Sequence, residues 1–401
     1  MDQADLQEVL SSQYEQEQWI QLLRTVFHTG NVFHSAQPLT DLPGQLADKG
    51  YQLGNFETSD GFEIGVFEIH LKDNVAIHRN RVGVRNLLRS YYKQLDGVFA
   101  VFKQQDSWRF SFISQLRDWN EEEETWELKE TEPKRFTYLL GENEAVKTAT
   151  DRFYQLVEAD KVEFKDIKEA FSVEKLNKEF YKKVVSSFYD LLGVKEPGRG
   201  GQQHPHLLEL PDVPDSSSDS KKIHQEFAVR LIGRIVFCWF LKFKKSKQGN
   251  PIIPQEALSS SSIVDGFYHQ KLERLFFQVL NTQKKNRRDD LPGEYGEIPF
   301  LNGGLFEPHR YDLFKPDRHT GISQNLNTLK IPDAWFQNLF EILEQYNFTI
   351  DENSIEDADV SVDPEMLGRI FENLLAEIDP ASGKTARKAT GSYYTPREIV
   401  D

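Results

Sequence analysis

The sequence predicts an α+β protein, an N-terminal α/β domain followed by a mostly α-helical domain, on three observations. Up to about residue 115 the apolar residues switch between helical and alternating spacing in the order helix, two strands, helix, two strands. From about residue 145 the spacing is helical almost throughout. Between the two lie an acidic run at residues 121–124 and the breaker Glu132-Pro133, which place a boundary near residues 118–135.

The first element is a helix in "QYEQEQWIQLLRTVF", where Trp19, Ile20, Leu22, Leu23, Val26 and Phe27 recur at helical spacing, ending near Gly30. "YQLGNFETSDGFEIGVFEIHLKD" reads as two strands joined at Ser59-Asp60-Gly61, a turn composition. A helix follows in "RNRVGVRNLLRSYYKQL", with Val84, Leu87, Leu88, Tyr91 and Leu95 on one side. "DGVFAVFKQQDSWRFSFIS" gives two more strands around Gln104-Gln105-Asp106-Ser107. Helices then occupy "FYQLVEADKVEFKDIKEAF" and "LNKEFYKKVVSSFYDLLGV". Residues 193–222, rich in Gly, Pro and Ser, predict a mobile linker. His204 and His206 within it have metal-like composition but lack a third ligand, so they read as non-functional. The most apolar stretch, "FAVRLIGRIVFCWFLKFKK", is too short and too flanked by charge for a membrane span and predicts a buried central helix. "FYHQKLERLFFQVLN", "PDAWFQNLFEILEQY" and "DPEMLGRIFENLL" complete the helical part, the last with Asp363 as cap and Pro364 in its first turn.

The composition narrows the function classes. Hydrophobic residues at 38% and charged residues at 28% support a packed core rather than global disorder. No apolar run reaches ~20 residues, and "MDQADLQEVL" lacks the basic and apolar regions of a signal peptide, so a soluble cytoplasmic protein with no membrane partner is expected. The single cysteine, Cys238, excludes an internal disulfide framework. A net charge of −16 argues against nucleic-acid binding over the whole surface. It leaves room for a local basic groove, because the field at the site is what a polyanion meets.

Two basic groups stand out against that acidic background. Arg81, Arg85 and Arg89 fall at i, i+4 and i+8 of the helix after the second strand, with Arg79 beside its start. Lys284, Lys285, Arg287 and Arg288 cluster in "NTQKKNRRDDLPG". Each group reads either as a solvated surface or as a contact to DNA phosphates.

The segments "EIPFLNGGLFE", "YNFTIDE", "VDPEMLGRIFENLL" and "RKATGSYYTPREIVD" occur in that order. This ordered set resembles single-chain restriction–modification enzymes of type IIG and their relatives, in which a nuclease-like domain and a helical connector precede a gamma-class N6-adenine DNA methyltransferase. The resemblance is good over residues 227–401, weak over the linker, and architectural over the first 115. It implies a restriction-endonuclease-like α/β domain at 1–135 and a helical connector at 136–387. Residues 388–401 would be the first of a truncated methyltransferase domain.

In that family "GSYYTP" lies against the methionine end of S-adenosylmethionine, so Tyr393, Tyr394, Thr395 and Pro396 are the implied cofactor-binding residues. The local chemistry suits this role. Thr395 can cap a helix whose free N–H groups face a carboxylate, and the tyrosines offer flat walls to a sulfonium. The family's Asn-Pro-Pro-aromatic motif is absent from residues 1–401, and so is its glycine-rich cofactor loop. The chain is therefore expected to be a fragment without methyltransferase activity, S-adenosylmethionine belonging to the full-length parent. Its partners would be double-stranded DNA and the missing methyltransferase and target-recognition regions.

Nucleases of the PD-(D/E)xK type, common at the start of such proteins, need an acid at a turn and then acid-x-lysine on a strand, to hold Mg²⁺ beside a water. The resemblance assigns Asp60 and Glu68 to the metal, and Asp60, Glu68 and His70 to catalysis. His70 stands where lysine is expected and the interval between the acids is short. Three readings stay open: an active Mg²⁺-dependent endonuclease; a degenerate nuclease fold serving as inert scaffold or DNA-binding module, as in a phage-defence methyltransferase; and an unrelated α/β domain.

Overall fold

The computed structural model describes residues 1–370 except 28–30, 41, 43, 76–86, 89–94, 105–106, 115–116, 121–124, 129–133, 197–199, 212–217, 247–249, 302–303, 351–356 and 367, together with Leu374. Contacts divide the chain into two units, Met1–Lys178 with Gln345–Val362, and Glu179–Glu344 with Asp363–Asp401.

In the first unit, α1 (Gln3–Ser11) begins at Asp2, whose carboxylate accepts from the Ala4 and Asp5 amides. A short turn leads to α2 (Gln16–Val26). The strands are β1 (Asn31–Pro38), β2 (Ala47–Glu57), β3 (Glu63–Leu71), β4 (Gly97–Gln104), β5 (Ser107–Ser114), β6 (Arg117–Asn120), β7 (Thr125–Leu128), β8 (Lys134–Gly141) and β9 (Asp357–Asp359). The main sheet has the order β1-β2-β3-β4-β5-β8-β9, and β6 and β7 form a separate hairpin. The pairs β3–β4 and β8–β9 are parallel and the others antiparallel. Both predicted hairpins are present. The first turns between Thr58 and Phe62, where the Gly61 amide donates to the Thr58 carbonyl and Gly61 adopts φ +85°.

A parallel β3–β4 pair requires a crossover connection. The helix predicted there lies largely outside the described residues. Its Leu87 and Leu88 are described, buried against Phe67, Ile69, Phe102 and Ile113 on one face of the sheet. The opposite face carries an aromatic core. Trp19 meets Phe110 with ring centroids 4.4 Å apart, Phe27 meets Phe56 at 5.3 Å, and Phe171 meets Phe112 at 5.5 Å. Each such ring contributes roughly 1.5–3 kcal/mol by burial.

The boundary predicted at residues 118–135 falls inside this unit. β8 pairs with β5 along its whole length. α3 (Lys147–Glu158) and α4 (Phe164–Ala170) then bring Phe153 and Phe164 to the aromatic core. The acidic run and Pro133 themselves lie outside the described residues.

α5 (Val173–Leu192) runs across the division between units. The second unit is helical, as predicted, around α6 (Ser218–Phe243), whose Phe227, Ile232, Val236 and Trp239 are all buried. Among the described residues no helix is long and apolar enough to cross a membrane. Two π-helical runs, Tyr268–Leu272 and Arg274–Leu280, occupy the segment expected to be an ordinary α-helix. α7 (Asp333–Leu343) packs Phe340 on Trp239 at 5.6 Å, and its Trp335 indole donates to the Ser187 carbonyl at 2.9 Å.

The described part of the expected mobile linker is packed. His204 is buried, with Nδ1 2.7 Å from Asp190 and Nε2 3.3 Å from Glu196. Burial disfavours its charged form, but these two carboxylates outweigh that and raise its pKa. His204 thus anchors this segment to the end of α5, and Leu208 buries fully beside it.

Candidate functional site

β3 presents Glu68 and His70 on the same face, because alternate strand residues share a side. His70 Nε2 lies 2.6 Å from Glu68 Oε1, a contact in which the imidazole N–H donates to the carboxylate. The turn between α1 and α2 closes the other oxygen. Tyr14 O–H donates to Glu68 Oε2 at 2.9 Å, and Gln16 Nε2 donates to the same atom at 2.7 Å. Burial, then the charge and hydrogen bond of Glu68, push the Tyr14 phenol up, so it remains a donor. Glu68 is 4% exposed, whereas the His70 side chain is 35% exposed. The pair is therefore sealed at the carboxylate and half-open at the imidazole.

Asp60 does not join them. Its carboxylate accepts the backbone N–H of Phe164 at 3.0 Å, holding the first turn of α4. Glu63 and Glu68 are already roughly 17 Å apart along β3 at the usual rise per residue, and Asp60 lies in the turn beyond Glu63. Carboxylates sharing an Mg²⁺ must each reach within about 2.1 Å of the ion. Asp60 and Glu68 therefore do not fit one metal. Among the described residues no group of three His, Cys, Asp or Glu side chains could hold an ion. The sequence places Asp60 correctly at the turn, but that turn lies at the wrong end of the strand.

Strand register adds residues that sequence spacing could not. His70 is opposite Lys49 of β2 and Lys103 of β4. Glu68 is opposite Tyr51 and Val101. Directly paired residues project to one side of a sheet, so Lys49, His70 and Lys103 form a cross-strand row, with Trp108 of β5 next in line. The row borders the Glu68 contacts, since the Trp108 ring lies 5.3 Å from that of Tyr14. Lys49 is exposed and Lys103 half-buried. Beside the row, Lys72 and Asp48 are 3.8 Å apart. Tyr14 with Gln16, Lys49, and Lys103 lie in three separate stretches, and only the pairing of β2, β3 and β4 relates the lysines.

The other basic cluster divides. Arg287 donates to the carbonyls of Val279 at 2.9 Å, Thr282 at 3.1 Å and Tyr295 at 3.4 Å, closing the end of the second π-helical run. Arg288 bonds Asp290 and the carbonyls of Arg318 and His319. Lys284 and Lys285 are exposed, Lys284 3.3 Å from Glu297. The two arginines thus hold a loop together, Arg288 while remaining partly exposed. Arg79, Arg81, Arg85 and Arg89 lie outside the described residues, as do Tyr393, Tyr394, Thr395 and Pro396.

In "FLNGGLFE", Asn302 and Gly303 lie outside the described residues, and Leu305 and Phe306 are held in place. Arg234 of α6 donates to the Leu305 carbonyl at 2.7 Å and to Asp312 at 2.8 Å, and Phe306 is buried. Burial opposes the Asp312 charge, but the bond and charge of Arg234 hold its pKa below the ordinary value.

Comparison with known proteins gives two similarities. Residues 215–362 match a family described as a domain of unknown function, DUF7814. Over 247 residues, 57% of this chain, the sequence is 29% identical to a Methanocaldococcus jannaschii protein named as a candidate type II restriction enzyme and methyltransferase. That stretch spans only 19% of the archaeal protein. No solved structure matches.

Proposed function

We propose that this chain is the DNA-handling part of a type IIG-like restriction–modification protein, and that its α/β unit keeps a nuclease-like frame without a working metal pair. The restriction–modification assignment is supported by the similarity to the archaeal protein and by the ordered segments leading to "GSYYTP". In the whole protein, Tyr393, Tyr394, Thr395 and Pro396 open an N6-adenine methyltransferase domain that uses S-adenosylmethionine, and the helical unit connects it to the α/β unit. The choice of holding over cutting rests on Glu68. Both of its oxygens are engaged by Tyr14, Gln16 and His70, and Asp60 serves α4.

Supercoiled plasmid with Mg²⁺ or Mn²⁺ tests this directly. The expected result is no nicking by the chain or by Glu68→Ala, together with duplex-DNA binding that weakens as salt rises. A second reading, an active Mg²⁺-dependent endonuclease, is favoured by the half-open His70 against the Glu68 carboxylate. Cleavage by the parent that Glu68→Ala abolishes would establish that second reading. Equal cleavage by both would remove Glu68 from either account.

A further inference from the structure

We propose that the cross-strand row Lys49–His70–Lys103 is the seat of a DNA backbone phosphate. The inference rests on the DNA-handling reading above and names the surface through which it operates. The row is made by register alone, Lys49 opposite His70 in the antiparallel pair and His70 opposite Lys103 in the parallel pair. Neighbouring strands lie about 4.8 Å apart. The two lysines therefore flank the imidazole at about one strand spacing on either side, and their long stems let both ammonium groups converge above it.

The surroundings favour an anion. Glu68, behind the row, is capped by Tyr14 and Gln16 and turned towards His70, so its charge is met locally. Asp48, beside Lys49 in sequence, faces Lys72 at 3.8 Å. Lys103 has Trp108 as its next cross-strand neighbour, and that indole is buried, with its N–H donated to the Ser12 carbonyl at 3.0 Å. The wall beside Lys103 is thus apolar and rigid. His70 lies at the centre of a half-open strip with its Nε2–H already given to Glu68, so the two flanking ammonium groups supply the donors. Such a strip suits a phosphodiester, which takes both charge and hydrogen bonds from lysine ammonium groups without any reading of bases. The acidic chain as a whole does not oppose this, because the local field governs the contact.

The experiment is fluorescence anisotropy of the 401-residue chain with a labelled 20-base-pair duplex in EDTA, over a series of salt concentrations. The variants are Lys103→Met, Lys49→Met, the double variant, and Lys161→Met as an exposed charge-matched control. Each row lysine that meets a phosphate should lower the magnitude of the log-affinity against log-salt slope by about 0.9, and the double variant by about twice that. The loss should be the same for unrelated duplex sequences. Circular dichroism of each variant separates lost contact from lost fold. Binding by Lys103→Met and Lys49→Met with the parent's affinity and slope overturns the row while leaving the DNA-handling reading intact. A parent chain that binds no duplex overturns both. Equal losses in Lys161→Met show an unspecific charge effect and also overturn the row.

Discussion

Two glutamate–histidine pairs, one in each unit, share a short contact and differ in their surroundings. In the α/β unit, Glu68 and His70 are 2.6 Å apart across alternate positions of a strand, with the histidine half-open. In the helical unit, Glu273 and His269 are 2.5 Å apart across one turn, both almost wholly buried. His269 Nε2 donates to the Leu329 carbonyl at 2.9 Å, so both of its nitrogens are occupied inside the fold. The comparison teaches that the pairing of residue types does not mark a site. What distinguishes the two is the fate of the second imidazole nitrogen and of the neighbours: lysines on adjacent strands in one case, the buried ring of Tyr268 5.0 Å from the imidazole in the other.

Stability should separate the pairs most sharply. Replacing Glu273 with Ala leaves His269 without its buried partner, and breaking one side of a buried pair costs about 3–5 kcal/mol. Glu68→Ala releases Tyr14 and Gln16 near a surface that water can reach, and should cost about 1–3 kcal/mol. Urea denaturation of the two variants measures both. If Glu68→Ala proves as costly as Glu273→Ala, the pair on β3 is as structural as its counterpart and the contrast is lost.

A middle-sized effect concerns the two basic groups. Arg287→Ala uncovers the Val279 and Thr282 carbonyls at the end of the second π-helical run and the Tyr295 carbonyl of the following loop, and should destabilise the chain by about 1–3 kcal/mol. Lys285→Ala, on an exposed side chain two residues away, should leave the urea midpoint unchanged. Equal midpoints for the two variants would return Arg287 to the surface role that its sequence context suggests.

The sealed pair should also make stability depend on pH. Burial disfavours the His269 imidazolium, but the Glu273 bond and charge outweigh it and raise the His269 pKa above 6.5. Burial likewise raises Glu273, and the two describe one proton shared across the contact. A proton bound more tightly in the folded state stabilises that state wherever it is bound. The contribution is complete below pH 6.5 and is lost as pH rises through the higher folded value. Urea midpoints at pH 6 and pH 9 should therefore differ more for the parent than for His269→Gln. Identical differences would place the proton elsewhere.

Much of the frame was legible because local pattern encodes it. Trp19, Leu22, Leu23 and Val26 fixed α2, and Gly61 fixed the first hairpin. α6 announced itself by apolarity on every side. The short edge strand β9 was not legible, because its three residues take their conformation from β8 and carry no pattern of their own. The π-helical runs were equally hidden, since a segment buried on nearly all sides has no periodicity to betray its winding. At the candidate site, Glu68 and His70 were legible as alternate residues of one strand. Lys49, Lys103, Tyr14 and Gln16 were not, since register and the placement of a turn are set by the whole sheet.

Asp60 shows the same limit at the small end of the scale. Turn composition placed it between two strands, and the family resemblance assigned it to a metal with Glu68. The fold instead spends its carboxylate on the Phe164 amide, one of the N–H groups that the start of α4 leaves without a helical partner. Asp60→Ala should therefore cost about 1 kcal/mol, the usual loss for an acceptor at a helix N-terminus. It should change neither plasmid nicking nor the salt slope of DNA binding, whereas Lys103→Met should change the slope and leave the urea midpoint nearly in place. A cleavage or binding defect in Asp60→Ala with the midpoint intact would bring Asp60 back to the site and undo the separation of the two ends of β3.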